Sequence, residues 1–290
     1  MRNARQLVDL LRAKQDNDKS LGQHFLINDE LIAKSIDFGN VNNEDHVLEI
    51  GPGPGVLTEA LLATGCTVTA IEIDAGAVEH LNRIFSSEIE GQQLTLHHGD
   101  ALQTNWPSDI TKVVANIPYQ ISSPLVELLT RYLRSKWQNL AKVILLVQEE
   151  FAERLVMEYE SDVGSLGMTA LLDWQCDILA KVPPHHFSPN PKVNSCFIEM
   201  IPSNEEFAAD KRLIKQIIHQ AFNQRRKKLR TSLKSVPRRL SRIPNWYAAR
   251  WKSAYANLAD DERMEARPEE FDFDDWVELA MDFAEFNEEE

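Results

Sequence analysis

The first two thirds of the chain alternates short apolar runs rich in β-branched residues with stretches that repeat apolar residues at helical spacing. Seven of the short runs have the length and composition of β-strands. They cover residues 46–50, 67–73, 94–97, 112–115, 142–147, 174–181 and 195–201. The helical stretches between the early strands cover residues 57–63, 75–85 and 124–133. This alternation predicts an α/β fold whose mostly parallel sheet is covered by helices on both faces.

The pattern changes at Pro202-Ser203-Asn204, after which the chain shows helical spacing without convincing strands. One predicted helix face consists of Leu213, Ile214, Ile217, Ile218, Ala221 and Phe222, and another of Phe273, Trp276, Val277, Ala280, Met281 and Ala284. We therefore predict two domains, one over 1–204 with an N-terminal arm over 1–30, and a small all-helical one over 205–290. We expect the final, acidic helix to pack on its own domain, with docking on a partner as the alternative.

Composition is typical of a globular protein, since 43% of the 290 residues are hydrophobic and 26% are charged. The longest uncharged apolar run, 143–147, is far shorter than the roughly 20 residues of a membrane helix, and the charges among the first nineteen residues lead us to expect no secretory signal. Cys66, Cys176 and Cys196 show no paired spacing, so we expect reduced thiols in a cytoplasmic protein. The histidine pairs at 97–98 and 185–186 have no Cys or carboxylate at ligand spacing, so no metal is expected.

The net charge of −14 is distributed unevenly along the chain. Residues 260–290 contain fifteen acidic and two basic side chains, whereas residues 211–252 contain fourteen Lys or Arg and no Asp or Glu. A concentrated basic segment of this kind is the electrostatic feature that a nucleic-acid partner requires. A solvated helix face is the alternative interpretation.

A glycine-rich turn follows the first strand, in the pattern Glu49-x-Gly51-x-Gly53-x-Gly55. Glycines let the backbone approach a ligand closely, and the helix that follows offers free N–H donors. Position 56 is Val where a dinucleotide fingerprint has Gly, and no lysine follows as it does in a phosphate-binding loop. The turn therefore indicates a site for a nucleoside-bearing ligand that is neither a dinucleotide nor a ligand held by a phosphate-binding loop.

Two acidic residues follow the glycine turn along the chain. Glu72 ends the second strand, where it can accept hydrogen bonds from both hydroxyls of a ribose. Asp100 follows the third strand, where it can accept from an adenine amino group. The order of glycine turn, ribose acid and adenine acid indicates a site for S-adenosylmethionine. The alternative is that both acids only cap helices.

Asn116-Ile117-Pro118-Tyr119 follows the fourth strand, so the sheet should deliver it to the same edge. The side-chain oxygen of Asn116 can accept the N–H bonds of an exocyclic amino group, and Pro118 has no N–H to compete. Tyr119 can stack on an extruded base. The turn predicts methyl transfer to the amino group of a planar base, and an ordinary turn with a packed Tyr is the alternative.

The sequence resembles the ribosomal RNA adenine dimethyltransferases, in the branch that modifies the small subunit. The resemblance runs from about residue 19 to 233 and rests on residues 20–26, 49–53, 99–101, 116–119, 187–189 with 191–193, and 221–227. The last segment is specific, because generic methyltransferases lack it. The resemblance implies a Rossmann-like class I methyltransferase sheet of seven strands with the last antiparallel, followed by a small helical RNA-binding domain.

The resemblance also implies a set of site residues and a reaction. The residues expected to contact S-adenosylmethionine are His24, Leu26, Gly51, Gly53, Glu72, Asp100 and Asn116. The catalytic residues would be Asn116, Pro118, Tyr119 and Phe187, with the adenine between the rings of Tyr119 and Phe187. The implied reaction is two successive methylations on the N6 of each of two adjacent adenosines in the 3′-terminal hairpin loop of small-subunit (16S) rRNA. The partner would be that rRNA or a pre-30S particle, and we expect a monomer.

Three positions depart from the family pattern. His24 stands where many members have Asn, Gln148-Glu149-Glu150 has an acid where Lys is usual, and Asn190 lies in a loop that is usually proline-rich. Two other functions stay open from the residues alone. One is an adenine N6-methyltransferase that acts on large-subunit rRNA or DNA, and the other is a non-catalytic RNA-binding assembly factor.

Overall fold

The structure, a computed structural model, describes residues 2–13, 23–135 and 139–285. The chain divides into two compact units. The first consists of residues 1–153 and 175–202, and the second of residues 154–174 and 203–290. Within the described residues the strands are β1 (Phe25–Leu26), β2 (His46–Ile50), β3 (Thr67–Glu72), β4 (Leu94–His98), β5 (Lys112–Asn116), β6 (Lys142–Gln148), β7 (Trp174–Val182), β8 (Phe187–Ser188) and β9 (Ser195–Pro202).

A seven-stranded sheet forms the centre of the first unit, in the order β4-β3-β2-β5-β6-β9-β7. The strands from β4 to β6 are parallel to their neighbours, and β9 is antiparallel to β6. The predicted α/β class and the antiparallel last strand are therefore confirmed. Every predicted strand is present, with ends that differ by at most one residue. β1 and β8 form a separate antiparallel pair that was not predicted, because two residues give no periodic signal.

The strand order creates a crevice where the chain changes direction. From β2 the chain continues to β3 and β4 on one side of the sheet, whereas β5 and β6 lie on the other side. The crevice at the carboxyl ends of β2 and β5 is the usual ligand position in such sheets. The apolar run 143–147 lies in β6 and is fully buried, as a strand covered on both faces requires.

Helices of the first unit connect and cover the strands. They are α1 (Ala4–Arg12), α2 (Asp29–Gly39), α3 (Val56–Ala63), α4 (Ala75–Ile84), α5 (Ser86–Glu90) and α6 (Ser122–Leu133), and α7 (Glu149–Val156) begins in this unit. The three helical stretches predicted between early strands correspond to α3, α4 and α6. The predicted N-terminal arm contains α1, whose start is capped by Asn3 and whose apolar face belongs to the core of this unit.

The second unit is helical and has its own core. Its helices are α8 (Ser165–Ala170), α9 (Lys211–Phe222), α10 (Leu229–Ser232), α11 (Ala248–Asn257) and α12 (Phe273–Glu285). Trp251, Trp276 and Phe283 are the largest fully buried side chains of this core. The predicted face of α9 is confirmed, since five of its six residues are buried and Phe222 packs beside them.

The acidic helix α12 packs into the core of the second unit, as predicted, but with a different face. Its buried residues are Trp276, Leu279, Ala280 and Phe283. The other predicted face residues, Phe273, Val277, Met281 and Ala284, are only partly buried. The apolar residues of α12 occupy much of its circumference, so their spacing alone does not determine which face is buried. The residues that pack against the helix determine it.

The second unit differs from the predicted domain of 205–290 because it includes residues 154–174. Met168 and Leu172 belong to the second core, so α8 takes part in the helical unit although it precedes β7 in the chain. Lys211 reinforces this attachment by donating to the carbonyl oxygen of Leu172 at 2.6 Å. Among the described residues, no helix combines the length and apolar character that a membrane crossing needs.

Candidate active site at the carboxyl edge of the sheet

The first unit contains a cavity of about 310 Å³ at the carboxyl ends of β2, β3 and β5. Its walls come from residues 49–54, 71–73, 99–101 and 114–121, with residues 23–26 beside them. The fold therefore brings the glycine turn, Glu72, Asp100 and the Asn116 turn to one cavity, although they are spread over almost seventy residues. Parallel strands explain this, because their carboxyl ends all meet at one edge.

The glycine turn follows a path that only glycine adopts easily. Gly51 and Gly53 have φ angles of 68° and 53°, in the left-handed region. A Cβ atom on Gly53 would lie 2.7 Å from the ring of Phe25, which is too close for any real contact. The backbone at Gly53 thus packs closely against the ring of Phe25 and lines the cavity.

Glu72 occupies the position expected of a ribose acceptor. The side chain is 4% exposed and lines the cavity. Its Oε2 accepts from the backbone N–H of Gly53 at 2.9 Å, and its Oε1 accepts from that of Asp74 at 2.8 Å. Burial raises the pKa of Glu72, and the two backbone donors oppose that effect. Each carboxylate oxygen keeps a further lone pair, so both can accept from ligand hydroxyls.

Asp100 lines the same cavity and also holds its own turn together. Its Oδ1 accepts from the backbone N–H of Leu102 at 2.9 Å, and its Oδ2 accepts from the side-chain amide of Gln103 at 2.7 Å. The Asp100 side chain therefore stabilises this turn. It leaves acceptor capacity on both oxygens for a ligand amino group.

Glu49 is a cavity residue that the sequence analysis did not assign to the site. It is 1% exposed, and its Oε2 accepts from the hydroxyl of Thr58 at 2.7 Å. Burial raises the pKa of Glu49 to about 8, and the nearby charge of Glu72 adds to this. The signal in the sequence was an acid at a strand end directly before the glycine turn.

Asn116 is oriented by a contact with the N-terminal segment. Its Nδ2 donates to the carbonyl oxygen of His24 at 3.3 Å, which leaves Oδ1 as an acceptor at the cavity. Pro118 follows in extended conformation, with φ −58° and ψ 132°, and Tyr119 begins a short 3₁₀ turn, Tyr119–Ile121. Leu26, the other predicted residue of the N-terminal segment, is buried and also lines the cavity.

Tyr119 is half-buried at the cavity and is held at two points. Its hydroxyl forms a hydrogen bond with Ser195 Oγ at 2.7 Å. Its ring stacks with the ring of His24, with centroids 5.8 Å apart and an interplanar angle of 24°. His24 is itself held, because its Nδ1 donates to the carbonyl oxygen of Pro189 at 2.8 Å.

Phe187 is the predicted catalytic residue that lies in a buried position beside the N-terminal segment. Its ring is 1% exposed and belongs to the core of the first unit, and it is not among the residues that line the cavity. The pairing of β1 with β8, which sets Phe187 opposite Leu26, places it there. The sandwich of an adenine between Tyr119 and Phe187 stays a prediction. In this structure the ring beside Tyr119 is that of His24.

The donor set of the cavity fits S-adenosylmethionine. Three carboxyl groups, those of Glu49, Glu72 and Asp100, line it, and none of its described lining residues is Lys or Arg. Such a lining disfavours phosphate and accommodates a positively charged sulfonium next to ribose and adenine. Over residues 2–13, 23–135 and 139–285, no three or more His, Cys, Asp or Glu side chains are grouped so that they could hold a metal ion.

The second unit presents a basic segment, defined here as residues 225–242. Nine cations of this segment are exposed, namely Arg225, Arg226, Lys227, Lys228, Arg230, Lys234, Arg238, Arg239 and Arg242. Leu229, Leu233 and Leu240 between them are buried, so the segment is anchored to the core while its charges face solvent. Trp246 and Trp251, which follow, are buried core residues, whereas Tyr247 is exposed.

Three cations of the basic segment are ion-paired with the acidic C-terminal region. Arg225 pairs with Glu269 at 2.9 Å. Lys228 and Arg230 both pair with Glu265, each at 2.6 Å. The other six form no ion pair with any residue in the described part of the chain. Part of the acidic charge therefore neutralises part of the basic segment within one unit.

Comparison with known proteins identifies the same chemistry. Residues 14–243 match the family model "Ribosomal RNA adenine dimethylase". "Ribosomal RNA small subunit methyltransferase A" of Bradyrhizobium diazoefficiens is 38% identical over 244 residues, which cover 80% of this chain and 84% of the relative. The protein of the same name from Synechococcus sp. is 36% identical and covers 90% of this chain and 94% of its own length.

A solved structure extends the likeness to the fold. The crystal structure of a dimethyladenosine transferase from Plasmodium falciparum has a TM-score of 0.73 and 27% sequence identity, over 89% of this chain and 96% of that one. The family model covers well over half of the chain, and the relatives cover most of it. The chain therefore belongs to the ribosomal RNA adenine dimethylase family, as the sequence resemblance predicted, and is an enzyme that uses S-adenosylmethionine as its methyl donor.

Proposed function

We propose that this protein methylates the N6 of two adjacent adenosines in the 3′-terminal hairpin loop of small-subunit rRNA, twice each, during ribosome biogenesis. The relatives named for the small-subunit rRNA match most of the chain and support this substrate. One observation carries the chemistry. The amide oxygen of Asn116 is a free acceptor at the cavity that also contains Glu72 and Asp100.

The proposed cofactor contacts follow from the donors and acceptors of the cavity. Glu72 would accept from the ribose hydroxyls and Asp100 from the adenine amino group, while Gly51 and Gly53 give the ligand access to the backbone. S-adenosylmethionine supplies a methyl group on a positively charged sulfur. Leu26 and His24 close the side of the cavity formed by the N-terminal segment.

Asn116 would act on the target amino group. That nitrogen is a poor nucleophile, because its lone pair is delocalised into the base. Hydrogen bonds to the Asn116 oxygen and a backbone carbonyl near Ile117 favour a pyramidal nitrogen with a localised lone pair. Pro118 offers no competing N–H, and Tyr119 provides a face on which the base stacks. No strong base is needed, since the proton leaves after transfer, and rate enhancement comes from alignment and preorganised hydrogen bonds.

The second unit would supply affinity for the RNA backbone. A target adenine must be unstacked before it reaches the cavity, and stacking on Tyr119 offsets part of that cost. The exposed cations of the basic segment would neutralise phosphates and release counterions. We further propose that the enzyme acts in the cytoplasm as a monomer, on the rRNA or on a pre-30S particle.

The test is incubation of the full chain with labelled S-adenosylmethionine and undermodified small subunits, followed by nucleoside analysis. We expect N6,N6-dimethyladenosine in small-subunit rRNA. Asn116→Ala should abolish transfer while cofactor binding stays near wild type, because its acceptor acts on the target nitrogen. Label in large-subunit rRNA, or full activity of Asn116→Ala, would overturn the proposal. Loss of cofactor binding in Asn116→Ala would overturn the role given to that residue.

A further inference from the structure

The hydroxyl of Tyr119 is anchored to the sheet rather than to a loop. Its partner Ser195 is the first residue of β9 and is 0% exposed. Ser195 is paired with Gln148 at the end of the antiparallel pairing of β9 with β6. A hydrogen bond to a buried group on an interior strand of the sheet fixes the position of the far end of the tyrosine side chain.

The rest of the residue is also constrained. Its backbone carbonyl accepts from the hydroxyl of Ser122 at 3.0 Å, and its ring stacks with His24. Tyr119 is therefore held at its backbone in addition to the ring and hydroxyl contacts of its side chain. Only the hydroxyl contact requires a tyrosine, since phenylalanine would offer the same face for stacking.

The hydroxyl has no chemical task in the proposed reaction. Methyl transfer from a sulfonium needs no phenol as acid or base, and stacking uses the ring face. A phenol is protonated at neutral pH, and burial raises the pKa of Tyr119 further, so the hydroxyl keeps the proton of its hydrogen bond. Ser195 in turn lies outside the set of residues that line the cavity, so it reaches the base only through Tyr119.

We propose that Ser195 is a positioning residue that fixes the plane of the Tyr119 ring, so that a base stacked on it presents its amino group to Asn116. The inference rests on the proposed function, because it requires a target base on Tyr119. Displacement of a reacting group by about 1 Å can lower a rate about 100-fold. If the Tyr119 ring loses this hydrogen bond and can move, kcat should therefore fall by more than the affinity for the small subunit changes.

The experiment compares Ser195→Ala, Tyr119→Phe and the double variant with wild type on undermodified small subunits. We expect each single variant to lower kcat roughly 10- to 100-fold, with little change in the KM for the subunit and in the Kd for S-adenosylhomocysteine. The double variant should be no slower than the slower single variant, because both remove one interaction. Ser195→Thr, which keeps the hydroxyl, should restore most of kcat.

Tyr132→Phe is the matched control. Tyr132 is also half-buried in the first unit, and its hydroxyl donates to the carbonyl oxygen of Pro107 at 2.6 Å, away from the cavity. Tyr132→Phe should lower the free energy of unfolding and leave kcat unchanged. Should Ser195→Ala fail to fold, Tyr119→Phe still tests the proposal, because it leaves Ser195 in place.

The outcomes separate the two proposals. Wild-type kcat in Tyr119→Phe, multiplicative losses in the double variant, or a loss confined to the Kd of the cofactor would overturn the role of Ser195 alone. A wild-type enzyme that forms no dimethyladenosine on the small subunit would instead overturn the proposed function.

Discussion

Glu49 is the buried acid beneath the glycine turn, and replacing it with Gln tests how its protonation affects stability. It is almost inaccessible to solvent, and Thr58 donates a hydrogen bond to it. Burial raises its pKa to about 8. The folded protein therefore holds this carboxyl neutral at pH 6, and Gln is the closest uncharged mimic of that form.

The sign of the effect follows from proton binding. In the unfolded chain Glu49 ionises near its ordinary pKa of 4.5, so between that value and about 8 the folded state binds more protons. Stability from Glu49 is therefore full below pH 4.5 and is lost as the pH rises through about 8. At about 1.4 kcal/mol per pH unit, the free energy of unfolding should fall by about 3 kcal/mol more in wild type than in Glu49→Gln between pH 5.5 and 8.5.

Urea denaturation at both pH values measures this difference. The chain has two compact units, so the relevant transition is the one that S-adenosylhomocysteine shifts to higher urea. Glu79→Gln, at an exposed acid on α4, is the matched control, and because it keeps Glu49 its free energy of unfolding should fall with pH as much as that of wild type. The difference in free energy of unfolding between wild type and Glu49→Gln could instead change by less than about 1 kcal/mol between pH 5.5 and 8.5. That result would show that Glu49 is not a neutral carboxyl in the folded protein.

Three further predictions concern the cofactor, the RNA and the glycine turn. Glu72→Ala should weaken S-adenosylhomocysteine binding about 10- to 100-fold in calorimetric titration, since ligand hydroxyls lose a charged acceptor; an unchanged Kd removes Glu72 from the ribose site. Arg226→Glu should flatten the salt dependence of RNA binding more than Arg225→Glu, because Arg225 is already ion-paired; equal slopes would contradict this. Gly53→Ala should cost roughly 2–5 kcal/mol in thermal unfolding, because the new Cβ meets Phe25 at positive φ; an unchanged midpoint would contradict the strain.

The sequence alone determined the sheet and the order of the chemical groups along it. Strands such as β2 and β6 are local apolar runs, so their periodicity identified them within one residue. The placement of Glu72, Asp100 and Asn116 at one cavity also followed, because each ends or follows a parallel strand, and such strand ends meet at one edge.

Only the tertiary structure decided features that depend on partners far away in the chain. Ser195 lies 76 residues from Tyr119, and nothing local marks it as the partner of that hydroxyl. Phe187 is buried because β8 pairs with β1, a contact between segments about 160 residues apart. The ion pairs of Glu265 and Glu269 likewise neutralise part of the basic segment, whereas a count of its Lys and Arg residues treats every one of them as an unpaired charge. Side-chain environment is set by such long-range contacts, whereas periodicity and spacing report only on near neighbours along the chain.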